Sequence, residues 1–120
     1  DCDLDGVSGA TFETSLFVDA HVISANSASM ATIDAGFKAL STDGGSPVVA
    51  DGAPAGSTFV FMGDEHGALI APDHPFRIGD RVSLTVPHCD PTVNLYDAYH
   101  VVRDGTLIDI WPVSARGRSR

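Results

Sequence analysis

Positive charge is scarce in this chain. Seven lysines and arginines stand against 16 aspartates and glutamates, a formal charge of −9 over 120 residues. That balance excludes sequence-independent attraction to nucleic acid or to an anionic lipid surface. Long apolar runs are missing too: no stretch of about eighteen such residues offers a membrane span, and no basic-then-apolar leader marks a secretion signal. Only two cysteines occur, Cys2 near the first residue and Cys89 far along the chain. They are too few for a disulfide framework and are expected as two free thiols of a cytoplasmic protein. Amphipathic helical periodicity, internal repeats and low-complexity segments are also absent. The chain begins Asp1-Cys2-Asp3 without methionine, as expected of a piece excised from something longer.

Present instead is an apolar content of 43%, enough for one domain of this length to bury a real core. Its pattern has period two. From Phe12 to Ala25, Leu16, Val18, Ala20 and Val22 fall on one side and Glu13, Ser15, Asp19 and His21 on the other, which predicts a long strand. Met30 to Asp34 predicts a second, followed by a structured loop or single helical turn from Asp34 to Asp43. Ser46 to Ser57, rich in proline and small residues, reads as a surface loop. Phe59 to Met62 and Ala68 to Ala71 flank the connection Gly63-Asp64-Glu65-His66-Gly67 and predict a hairpin. Ile78-Gly79-Asp80 predicts a tight turn into a strand from Arg81 to Val86, while Pro72 and Pro75 oppose any helix before it. Tyr99 to Arg103 and Thr106 to Val113, joined by Asp104-Gly105, predict a type I′ hairpin. The expected class is all-β, a small barrel or sandwich of about seven strands, with Trp111 in the core. Residues 1–11 are read as a linker or the end of a preceding domain, 12–116 as the domain, and 117–120 as a frayed basic tail.

The stretch Val86-Pro87-His88-Cys89-Asp90-Pro91-Thr92-Val93-Asn94-Leu95-Tyr96-Asp97 carries the chemistry. If the extended backbone of the preceding strand persists, His88 and Asp90 project to one side and Cys89 to the other. Pro87 and Pro91 favour this by biasing the residues before them toward extended conformations. Imidazole nitrogen with carboxylate oxygen suits zinc or manganese better than calcium. Two protein ligands make an open site, in which water or substrate takes the remaining positions. The plainer alternative is that His88 and Asp90 hydrogen-bond each other in a loop.

Several motifs in order resemble a known family. They are Asp34-Ala-Gly-Phe-Lys38-Ala-Leu-Ser41-Thr-Asp43, Asp64-Glu65-His66-Gly67, Ile78-Gly79-Asp80-Arg81-Val82, Pro87-His88-Cys89-Asp90-Pro91-Thr92-Val93-Asn94, and the ending Trp111-Pro112-Val113-Ser114-Ala115-Arg116-Gly117-Arg118-Ser119. Together they resemble the C-terminal domain of the D-threonine aldolase and D-serine dehydratase-like enzymes, from about Phe12 onward. The resemblance implies a β domain packed on an alanine-racemase-like (β/α)₈ barrel that carries pyridoxal phosphate on a lysine. It also implies a homodimer, a small D-amino acid substrate and a divalent zinc or manganese ion on His88 and Asp90. Both would then take part in catalysis. The aldolase-like form of the pair resembles His-x-Asp and the dehydratase-like form His-x-Cys, so Asp90 leans toward the aldolase and Cys89 sits one residue early for a ligand. A barrel takes about 250 residues, so the cofactor belongs to a segment outside this one.

The implied reaction is retro-aldol cleavage of a D-β-hydroxy amino acid to glycine and an aldehyde, the metal acting on the β-hydroxyl. Dehydration to a keto acid and ammonia, from D-serine or D-3-hydroxyaspartate, is the alternative outcome at the same site. Glu65, His66, Cys89 and Tyr96 are candidates to support the ligands, against plainer roles as a polar hairpin tip or in packing. Lys38 is a candidate Schiff-base lysine, since a buried lysine of depressed pKa is a ready nucleophile. The plainer expectation is a loop lysine paired with Asp34 or Asp43. Two rival classes are a non-catalytic β-barrel binding module and a metalloenzyme complete within these residues, the latter needing a third ligand and a base.

Overall fold

The alternation that begins at Phe12 becomes a regular strand only from Phe17. The computed structural model describes residues 12–118. Its elements run β1 (Phe17–Ser24), β2 (Met30–Ile33), β3 (Val49–Asp51), β4 (Thr58–Phe61), β5 (Gly67–Ile70), β6 (Arg81–Thr85), α1 (Cys89–Val93), β7 (Ala98–Arg103) and β8 (Thr106–Pro112). Strand β1 starts where its partner stops. Phe17 opposes Thr85, the last residue of β6, and Pro87 beyond it has no N–H to offer a ladder.

Six strands form one antiparallel sheet in the order β3-β6-β1-β2-β5-β4, curled into a half-barrel. Its concave face holds the core. Val18, Ala20 and Val22 of β1 are buried, and register places Val18 opposite Leu84 and Ala20 opposite Val82. Phe59 and Ala31 both oppose Leu69, so the apolar stripe continues across β2, β5 and β4. Leu40, Phe76 and Val86 come from the connecting segments and close over this face. On the outer face Asp19 accepts a 2.6 Å hydrogen bond from the Ser83 hydroxyl. Strands β7 and β8 make a separate two-stranded sheet.

The mostly β expectation holds, with four differences. The sheet is open, with β3 and β4 as its edges, and is not a closed barrel. Eight strands occur among the described residues where about seven were expected. The extra one is β3, three residues inside the presumed loop that pair with the edge of β6 and are too short to show an alternation. Helix α1 was not expected at all. Trp111 is not core: it is 54% exposed on β8, its indole N–H donating to Asp109 at 3.0 Å. The Asp104-Gly105 turn is as predicted, both residues having positive φ (52° and 77°). Cys2, one of the two expected free thiols, lies outside the described residues, while Cys89 is free and half-buried. The presumed frayed tail is anchored at its start. Arg116 pairs with Asp97 at 2.9 Å, and the Gly117 N–H donates to Asn94 Oδ1 at 2.7 Å.

Candidate metal centre

Beyond β6 the chain bends at Pro87 and His88, and His88, itself in an extended conformation at φ −133°, ψ 115°, is the N-cap of α1. Cys89, Asp90 and Pro91 form the first helical turn. A proline is tolerated there because the N–H it lacks would have no partner within the helix. The expectation that an extended backbone carries His88 and Asp90 to one side is therefore overturned. Asp90 is presented by the helix and is exposed, and His88 is presented by the strand-to-helix junction and is one-third exposed. Cys89 is partly buried and packs against the core.

His88 does have a carboxylate partner, and it is Asp43, not Asp90. Nδ1 of His88 lies 2.7 Å from Oδ2 of Asp43. The loop bearing Asp43 is tied to α1 and the turn after it by two more bonds. The buried Thr92 hydroxyl accepts the Ser41 N–H at 3.0 Å, and the Tyr96 hydroxyl donates to the Ala39 carbonyl at 2.7 Å. Burial first, and the negative charge of Asp34 second, hold the Tyr96 phenol above its ordinary pKa. It is thus protonated and able to donate this bond at neutral pH.

The other expected residues gather elsewhere. Glu65, His66 and Tyr96 line a cleft of about 470 Å³ together with Asp34, Gly36 and Lys38. His88 and Asp90 are not among its walls. Glu65 is occupied by Lys38 at 2.9 Å, so Lys38 has a carboxylate partner as expected but a different one from Asp34 or Asp43. The hydrogen bond and charge of Glu65 raise the Lys38 pKa, and the same contact lowers that of Glu65. A lysine held more firmly protonated is the opposite of an activated amine.

Among the described residues no cluster of three or more His, Cys, Asp or Glu side chains is arranged to hold a metal ion. The donor chemistry does fit an open site. An imidazole whose Nδ1 is engaged by a carboxylate keeps Nε2 for a cation, and Asp43 brings a carboxylate against its ring. Asp43 escaped sequence reasoning because 45 residues separate it from His88 and no periodicity connects them.

A family profile described as "Putative serine dehydratase domain" matches residues 15–102. The chain is 38% identical over 107 residues to 3-hydroxy-D-aspartate aldolase of Paracoccus denitrificans, covering 89% of this chain and 27% of that protein. It is 41% identical over 130 aligned residues to D-threonine aldolase of an Arthrobacter species, covering 98% of this chain and 33% of that protein. Its fold matches the crystal structure of D-threonine aldolase from Filomicrobium marinum with a TM-score of 0.86 at 38% identity, covering 95% of this chain and 32% of that one. The chain thus spans about a third or less of the length of these relatives.

Proposed function

Because the chain belongs to the serine dehydratase domain family, we propose that it is the metal-holding C-terminal domain of a pyridoxal phosphate-dependent lyase. The lyase would cleave D-β-hydroxy amino acids by the retro-aldol route to glycine and an aldehyde. The observation that carries this reading is the His88 ring, engaged at Nδ1 and available at Nε2, two positions before an exposed carboxylate. The relatives named as aldolases support the lyase class. Asp90 in place of a cysteine favours the aldolase outcome over dehydration.

When bound, a zinc or manganese ion supplies a Lewis acid that lowers the pKa of the substrate's β-hydroxyl, and pyridoxal phosphate on an N-terminal (β/α)₈ barrel supplies an electron sink. The part played by this chain is to hold and orient. His88 would offer Nε2 and Asp90 a carboxylate oxygen. With two protein donors, a bound ion would keep positions open for water and the substrate hydroxyl. Tyr96 and Thr92 act at one remove, fixing the 39–43 loop against α1. Lys38, paired with Glu65, takes no part in holding the cofactor. The barrel covers apolar surface that this domain leaves open, and the enzyme works as a cytoplasmic homodimer.

The test uses the full-length enzyme with D-threonine. The wild type is expected to give glycine and acetaldehyde, with stoichiometric divalent metal by elemental analysis. His88→Ala is expected to lose both the metal and the turnover. Unchanged metal content and rate in that variant would remove the metal role, and a keto acid with ammonia as product would replace the aldolase assignment by the dehydratase one.

A further inference from the structure

We propose that Asp43 is the positioning residue of this centre: its carboxylate fixes the tautomer and plane of the His88 ring so that Nε2 presents its lone pair to a divalent cation. This rests on the metal reading above. An ionised carboxylate only accepts, so the 2.7 Å contact puts a proton on Nδ1, and a neutral ring held this way has its lone pair on Nε2. Without that contact, a neutral imidazole divides between two tautomers and turns about its side-chain torsion. A cation then selects one arrangement out of several, at a cost in affinity.

An exposed aspartate orients nothing unless it is itself held. Asp43 is 71% exposed, and the structure closes a circuit of bonds around it. Its own N–H donates to the Ser41 hydroxyl at 3.1 Å, and the Ser41 N–H donates to the Thr92 hydroxyl at 3.0 Å. Thr92 is buried on α1, the helix for which His88 is the N-cap. The path from His88 through Asp43, Ser41 and Thr92 thus returns to the helix it left. Immediately after Asp43, Gly44 has φ +91°, and a Cβ there would stand 3.3 Å from the Cβ of His88. The backbone carrying the carboxylate therefore passes directly against the residue it orients. A chance surface ion pair would need none of these supports.

The experiment measures manganese(II) binding to the full-length enzyme from the electron paramagnetic resonance signal of the free ion, for wild type, Asp43→Ala, Asp43→Asn and His88→Ala. Asp43→Ala is expected to raise the dissociation constant by about 10- to 100-fold. Asp43→Asn, whose amide oxygen still accepts from Nδ1, is expected to recover most of that loss. His88→Ala should abolish binding at the site. Wild-type affinity in Asp43→Ala alongside lost binding in His88→Ala would overturn the positioning role and leave the metal reading intact. Equal losses in the Asn and Ala variants would also overturn it, because charge alone would then account for the effect. Wild-type binding in His88→Ala would overturn the metal reading itself.

Discussion

The phenol of Tyr96 joins two segments that no local rule connects, donating to the Ala39 carbonyl across 57 residues. Burial, then the charge of Asp34, raises its pKa above the ordinary value near 10. The neutral form is therefore the one the fold favours. Its stabilising contribution is fully present below the unfolded pKa of about 10 and is lost as pH rises through the folded pKa. In a spectrophotometric titration at 295 nm, the wild type minus Tyr96→Phe difference should show one tyrosine ionising late, above the ordinary range. A difference centred at the ordinary value would contradict the burial. The residues of the candidate centre were only half legible at this scale. His88, Asp90 and Tyr96 stand within nine positions of one another and carry their chemistry in their side-chain types. Asp43 and Thr92 act through contacts spanning 45 and 51 residues, which only the folded loop supplies.

The loop from Asp34 to Asp43 is placed by backbone more than by side chains. Phe37 N–H donates to the Gly63 carbonyl at 3.0 Å and Lys38 N–H to that of Asp64 at 2.8 Å. Phe37 stacks on Phe61 with ring centroids 4.7 Å apart. The two stretches approach so closely at Gly36 that any Cβ there would collide with backbone atoms of Gly63, Asp64 and His66. Main-chain atoms cannot swing aside as the end of a flexible side chain can. Gly36→Ala is therefore expected to push the loop off the β4–β5 connection at a cost of about 1–3 kcal/mol. Thermal unfolding should report a melting temperature lower by several degrees, and an unchanged value would mean that the loop relaxes freely. Elements with strong local signals were legible: the alternation of β1, the Asp104-Gly105 turn, and the short connection closing β4 on β5. Helix α1 was hidden because Pro87 and Pro91 both argue for extended chain, and five residues are too few to show a helical period. The half-barrel's open edges follow from long-range pairing, on which periodicity is silent.

At the scale of the whole molecule, the β7–β8 hairpin behaves unlike the rest. Every residue of β8 is exposed, and Val102, Leu107, Ile108, Ile110 and Trp111 are each between 48% and 59% exposed. Concentrated apolar surface of this kind marks a face that another body covers. The relatives are about three times the length of this chain, and the proposed barrel supplies such a body. In the full-length enzyme Trp111 should then be shielded. Hydroxyl-radical footprinting read by mass spectrometry is expected to oxidise Trp111 several-fold more slowly in the full-length protein than in the 12–118 segment alone, with Phe12 and other exposed positions away from the hairpin as references. Equal oxidation in both would mean that the hairpin is solvated in the complete enzyme. The hydrophobic argument would then have to move to the outer face of the curled sheet, where Met30, Val60 and Ile70 are also exposed.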